Sequence, residues 1–425
     1  MARSPYGADV PADRLVAELP LWAWPVEPEP APLHRTPVEP PPLADSPFVW
    51  EPEPEAAPDR GEGGPLGGLR LAVKDLIAVA GHPVRAGSAS RQAIPVETTD
   101  APIVATLLGM GARLVGATRL HELAFGVTGV NRFEGTAVNP ADAARAPGGS
   151  SSGSAVAVAL GLADVALGTD TGGSARIPAA LCGVVGYKAS RRLTPIGVLP
   201  LAPSLDHLGW CVASVEVARR TAAALGLVAT DRPARRRPRI GVLTSSLDTA
   251  SAEVAGPVRQ ALARLQQAGF ELTDLHWPHT DLVAAVSTTV MFAEAAHSHL
   301  ASLEGDPNSI GADVRGRLLR GRSIGATAYL AGRQLVDQLS ALFSAFFQQV
   351  DVVAGPTTRI AAPLLSEADD PGVAAALVRY TRLDDLTGFP AMSLPVATAG
   401  LPVGMHLTGL TDEGLLDAAA ALEPV

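Results

Sequence analysis

Two short turns rich in glycine and serine hold the residues of this chain best suited to chemistry, PGGSSSGS at 147–154 and TDTGGS at 169–174. Each leads into a stretch that reads as an apolar helix, 154–162 and 175–182, and residues 165–169 between them read as a strand. Backbone N–H groups at a helix start lack intrahelical partners and point outward, so such turns can hold an anion or a developing oxyanion. A flexible linker would explain the composition but not the placement of both turns directly before apolar helices. A phosphate-binding P-loop needs Gly-Lys-Ser/Thr at the end of its turn, and neither that nor the spaced glycines of a Rossmann turn is present. Gly149–Ser150–Ser151–Ser152–Gly153 fits the nucleophile-elbow pattern G-x-S-x-G with Ser151 as nucleophile. That mechanism also needs an acid and then a separate histidine downstream, whereas Asp206 and His207 are adjacent.

A third chemistry is carried by a longer pattern. Gly148-Gly149-Ser150-Ser151-Ser152-Gly153-Ser154, then Gly168-Thr169-Asp170-Thr171-Gly172-Gly173-Ser174, then Arg176 and Pro178 resemble the signature of the amidase signature family. The resemblance extends upstream to GLRLAVK at 68–74 with Asp75, to HELAFG at 121–126, to Asn131 and to Asn139-Pro140. Downstream it includes Ser204-Leu205-Asp206 with Gly209, Asp351 with Pro356-Thr357, and Gly388-Phe389-Pro390-Ala391, so that it spans residues 63–420. Two departures stand out: Ala189-Ser190 where the family usually has Pro-Thr, and Asp385 where asparagine is common.

The resemblance implies a Ser-Ser-Lys triad with Ser174 as nucleophile, Ser150 as the bridging serine after a cis peptide bond, and Lys74 as base. The two serines are 24 positions apart, as the family pattern requires. A serine hydroxyl needs a neighbouring base before it attacks, and a lysine serves only when neutral. Burial lowers a lysine pKa, since an ammonium is costly to desolvate, and Lys74 follows Leu69, Leu71 and Val73 in an apolar strand. The backbone N–H groups of Thr171, Gly172, Gly173 and Ser174 would form the oxyanion hole. Asp170 and Arg176 read as a supporting pair that fixes this turn. Ser151 is placed with the supporting residues, although Ser151 and Ser152 both suit a helix N-cap.

These roles imply an amidase that converts a small carboxamide to a carboxylate and ammonia or an amine, without metal or organic cofactor. Residues 126–131 and 291–329 are the expected source of the substrate pocket. His121 reads as a packed or surface residue rather than a catalyst. The resemblance also admits the glutamine-hydrolysing subunit of a tRNA-dependent amidotransferase, or a non-catalytic scaffold on the same fold.

The elements that must position these groups are legible beyond the turns. Strands are expected at 69–73, 114–117, 240–243, 270–275, 351–354, 391–396 and 403–407, with helices at 103–111 and 257–268. Strands alternating with helices of this length predict an α/β fold, one large domain with a mixed, mostly buried sheet covered by helices on both faces. Residues 63–425 are assigned to that catalytic domain and residues 1–62 to an acidic, Pro-rich N-terminal extension. The first 60 residues hold 15 of the 37 prolines, which favours extended chain over helix. They also hold Trp22, Trp24 and Trp50, which fits a strap anchored on the domain by its indoles.

Composition narrows the partners. The net charge of −10 argues against non-specific binding to nucleic acid or anionic membranes, and Arg235–Arg236–Arg237 reads as a solvated loop. Cys182 and Cys211 read as buried free thiols rather than zinc ligands. No secretory signal and no membrane-length apolar run is recognised. A cytoplasmic protein acting on a small-molecule amide is therefore expected, and a homodimer is compatible with this reading.

Overall fold

The computed structural model describes residues 42–52, 63–229 and 237–423. Within them, eleven strands form one sheet. In chain order these are β1 (Phe48–Trp50), β2 (Arg70–Lys74), β3 (Arg113–Thr118), β4 (Val165–Asp170), β5 (Val185–Lys188) and β6 (His207–Val212). They continue as β7 (Ile240–Leu243), β8 (Leu272–Leu275), β9 (Val352–Pro356), β10 (Ala391–Val396) and β11 (Val403–Gly409). Across the sheet the order is β8-β7-β9-β11-β10-β5-β6-β4-β2-β3-β1. β8, β7 and β9 pair in parallel, as do β4, β2 and β3, and antiparallel strands join the two groups.

Alternate residues of a strand face opposite sides of its sheet, and here each side meets its own core. Leu71 and Val73 of β2 and Val165 and Leu167 of β4 join the large core on one face. That core includes Val104 and Leu107 of α1 (Pro102–Gly109) and Leu415 and Leu416 of the C-terminal helix Asp412–Leu422. Ala72 and Ala166 point the other way, into a cluster with Ala155, Val156 and Ala179. The small alanine methyls let α2 (Ser152–Ala159) and α3 (Arg176–Cys182), the helices that follow the two Gly/Ser turns, lie close against the sheet. The expected α/β class, with one large mixed sheet in a single domain, is what forms.

Several local expectations change. Residues 42–52 fall in the expected extension, yet β1 pairs with β3 and Phe48 is buried, so the sheet begins before residue 63. Trp50 stacks on His82 with ring centroids 3.6 Å apart, whereas Trp22 and Trp24 lie outside the described residues. The helix expected from Pro257 instead spans Ala252–Gln267, with the proline inside it. Burying Val254, Val258, Leu262 and Leu265 at roughly 1.5–3 kcal/mol each outweighs the roughly 3 kcal/mol cost of a mid-helix proline. Strands β5 and β6 are not among the expected ones, because Lys188, His207 and the glycines Gly186 and Gly209 break the usual apolar strand pattern. Both are fully buried at the centre of the sheet. The segment 291–329, expected to line the pocket, falls across α4 (Thr280–Ser298), the helix Ala312–Arg322 and the start of α5 (Ala326–Ser344).

Candidate active site

Lys74 ends β2 and is fully buried. Its Nζ lies 2.8 Å from Ser150 Oγ, 3.0 Å from Ser151 Oγ and 2.8 Å from Thr169 Oγ1. Burial pushes this amine down to about 7, against the pull of the Asp170 and Asp206 carboxylates in the other direction. A lysine so placed loses its proton near neutrality and can then accept one from a neighbouring hydroxyl. The Gly149–Ser150 peptide bond is cis. Ser174 lies in the second turn, and its carbonyl accepts the Ser151 N–H at 3.1 Å, which ties the two turns together.

Ser151 occupies the N-cap position of α2 but makes no side-chain capping bond. Its hydroxyl instead receives Lys74 and donates to the Thr169 carbonyl at 3.3 Å. Ser152 Oγ also caps nothing, being buried without a protein partner among the described residues. The N-cap expectation therefore fails for both, since the lysine and the adjacent strand end offer Ser151 better partners. Ser151 has no histidine among its partners, and the His207 Nδ1 bonds the Leu205 carbonyl at 2.7 Å. Among the described residues the elbow mechanism lacks its histidine base, and the only amine on Ser151 is Lys74.

The second turn is held from below by Asp170. Its carboxylate accepts the N–H groups of Gly173 (2.6 Å) and Ala175 (3.1 Å) and two guanidinium N–H groups of Arg176, both at 2.9 Å. Burial alone would raise this carboxyl, but the Arg176 charge and hydrogen bonds hold it well below the usual carboxylate range. The Gly173 amide is thus turned inward and is not open to substrate, a correction to the four-donor expectation. Among the described residues no protein acceptor meets the amides of Thr171, Gly172 or Ser174. Gly173 has φ +124°, and a Cβ there would lie 2.3 Å from Thr381 Oγ1. Gly173→Ala is therefore expected to destabilise the protein by about 1–3 kcal/mol and to disorder the turn. Urea midpoints of the variant and the wild type check this.

Arg176 is fully buried and also bonds Asp384 (2.6 Å) and Asp385 (2.9 Å). Asp384 in turn accepts His406 Nε2 at 2.9 Å and Thr408 Oγ1 at 2.7 Å. Burial, with Asp170 and Asp384 close by, drives the Asp385 carboxyl upward and favours its protonated form, against the pull of Arg176 and Lys188. A protonated carboxyl has the planar shape of an asparagine amide and offers one donor where asparagine would offer two. Lys188 is buried beside the cluster and pushed down to about 8 by desolvation. Sequence reading missed Thr169, Asp384, His406 and Lys188; adjacent aspartates just before Gly388-Phe389-Pro390 were the available signal.

The other departure also has a structural account. The Ala189 N–H donates to the Leu208 carbonyl at 3.0 Å, a bond that proline could not make. Asp412 receives Ser190 N and Oγ and the Tyr187 hydroxyl, which locks the end of β5 to the C-terminal helix.

A cavity of about 260 Å³ is lined by residues of both segments expected to build the pocket, including Thr128, Val130, Asn308 and Arg317. None of Lys74, Ser150 or Ser174 lines it. His121 is packed at its wall, with Nε2 3.1 Å from Asp313 Oδ2. Among the described residues no group of acids, histidines and cysteines is arranged to hold a metal, and no helix is long and apolar enough to cross a membrane.

Comparison with known proteins shows the family and the fold. Residues 53–416 match the family model described as Amidase. The chain is 34% identical to a glutamyl-tRNA(Gln) amidotransferase subunit of Halobacterium salinarum, over 88% of this chain and 99% of that protein. It is 32% identical to the indoleacetamide hydrolase of Pseudomonas savastanoi, over 86% of this chain and 85% of that protein. A solved amidase structure superposes with a TM-score of 0.80 at 34% identity, covering 89% of this chain and 91% of its own.

Proposed function

Because the chain belongs to the amidase signature family and is a hydrolase of carbon–nitrogen bonds in linear amides, we propose that it cleaves small carboxamides through an acyl-enzyme on Ser174. The observation that carries this reading is the buried Lys74 amine, lowered to about 7 and 2.8 Å from Ser150 Oγ. In the proposed first step Ser174 Oγ bonds to the amide carbon while its proton moves to Ser150 and the Ser150 proton moves to Lys74. The carbonyl oxygen takes the electron pair and is met by the amides of Thr171, Gly172 and Ser174. The proton then returns through Ser150 to the leaving nitrogen, the C–N bond breaks, and ammonia or an amine departs. Water attacks the resulting ester by the same route and frees the carboxylate and Ser174.

The base must be neutral, so the sign of the pH dependence follows. Below about 7 the amine is protonated and kcat/KM rises roughly tenfold per pH unit; above it the rate levels. A pH–rate profile with phenylacetamide or another primary amide checks this. Intact-protein mass spectrometry after a fluorophosphonate tests the nucleophile: a single adduct on Ser174 supports the reading, and an adduct on any other serine rejects it.

The likeness to the Halobacterium salinarum protein over nearly its whole length supports a second reading, release of ammonia from glutamine inside a larger assembly. Glutamine turnover that appears only with partner subunits and tRNA would select it; turnover of primary amides by the isolated chain selects the first.

A further inference from the structure

The hydrogen bonds above the second turn lead away from the triad to helices on the far side of the site. Thr171 Oγ1 donates to Asp206 Oδ1 at 2.7 Å. Asp206 is itself held by the N–H groups of Leu201 (3.0 Å) and Ala202 (3.1 Å). Two residues back in the same loop, Ser204 gives both its N–H (2.8 Å) and its hydroxyl to the Glu294 side chain. Glu294 Oε1 also receives the Tyr329 hydroxyl of α5 at 2.8 Å, and Arg333 Nη1 stands 4.0 Å away. Every close group is a donor, so the site calls for an acceptor with two oxygens, which a carboxylate supplies and an amide supplies only by half.

Glu294 lies on α4, three residues after Met291, so the two share a helix face. The Met291 methyl is 3.0 Å from where a Cβ on Gly172 would stand. One face of α4 therefore meets the oxyanion turn twice, directly at Gly172 and through the Ser204–Asp206 loop at Thr171. We infer that Glu294 is a positioning residue: by clasping Ser204 to α4 and α5 it sets, through Asp206, the aim of the Thr171 amide toward the reacting oxygen. This inference rests on the amidase reading above and adds that α4 and α5 contribute to transition-state stabilisation.

The consequence separates from ordinary structural support. Displacing one oxyanion donor weakens the bond to the transition state but not the docking of the ground state. The measurement is inactivation by a fluorophosphonate, resolved into kinact and KI across pH, on the full chain. Glu294→Gln and Thr171→Val are each expected to lower kinact about tenfold with KI within twofold. The double variant is expected to lose about tenfold, not a hundredfold, because both changes cut one path. Thr171→Ser, which keeps the hydroxyl, is expected to restore kinact. The midpoint near 7 is expected to stay close to its place, since the three hydroxyls on Lys74 are untouched and the Asp206 carboxylate is shifted but not removed.

Additive losses in the double variant, single variants within twofold of wild type, or a displaced midpoint each overturn the inference. If Glu294→Gln does not fold, Tyr329→Phe leaves the carboxylate and removes one donor. It is then expected to lower kinact about threefold, and unchanged kinact counts against the clasp. Failure of the underlying reading looks different: the wild type itself would take no label on Ser174.

Discussion

Alanine in place of Lys74 is expected to lower amide turnover, and labelling of Ser174, by about 10³–10⁴-fold while the protein remains folded. The amine is the only base within hydrogen-bond reach of Ser150 among the described partners, and its lowered pKa depends on full burial. Arginine at the same position keeps the charge but never releases its proton, so Lys74→Arg is expected to be no more active. The Lys74→Ala/Ser174→Ala pair should be no slower than Ser174→Ala alone, because the proton path has no purpose without its nucleophile. Ser151→Ala, which removes one of three hydroxyls on the lysine, is expected to cost about tenfold. A Lys74→Ala enzyme that keeps wild-type turnover would remove the lysine from the mechanism. Single-turnover rates, with circular dichroism to confirm folding, decide between these outcomes.

Arg176→Met is expected to destabilise the protein by about 3–5 kcal/mol, enough to unfold much of it at 37 °C. The guanidinium is surrounded by Asp170, Asp384 and Asp385, all buried. Removing it leaves buried carboxyls facing one another beside Lys188, whose own charged form is disfavoured by burial. Arg176→Lys should recover only part of the loss, since one ammonium cannot reproduce a fork that reaches three carboxyl groups. The pH dependence has a definite sign. Asp170 is held below its ordinary value of 3.8, so its contribution to stability is complete above that pH and is lost as the pH falls further. Urea unfolding of the wild type should therefore show a falling midpoint in acid below about pH 4, and Arg176→Met a weaker dependence there. A variant as stable as the wild type would show that the cluster is not what holds the second turn.

Two other assignments follow from the same packing argument. Cys182 and Cys211 are both buried free thiols pushed up by desolvation, Cys211 to about 12, so neither is a nucleophile at neutral pH. Trp50, one of the indoles expected to anchor the extension, is a partly buried strand residue with its ring on His82.

The family and the α/β class could be read from the sequence motifs, and the resemblance put Lys74 with Ser150, which the fold brings to 2.8 Å. Those signals are local: a Gly/Ser turn before an apolar helix, or a lysine at the end of an apolar strand, has its meaning among its immediate neighbours in the chain. Helix bounds near strong stops, such as 103–111 against the observed Pro102–Gly109, were legible for the same reason. What the chain could not announce was anything made by distant partners. β5 and β6 carry no strand pattern because their lysine, histidine and glycines are tolerated only between neighbouring strands. The Arg176 cluster joins residues more than 200 positions apart, and Glu294 reaches back 90 positions to Ser204. Even the Gly173 amide, expected in the oxyanion hole, is directed inward by a carboxylate three residues earlier. Which hydroxyl faces the lysine and which amide faces the substrate depend on burial. Burial is set by the packed fold and not by neighbours in the chain.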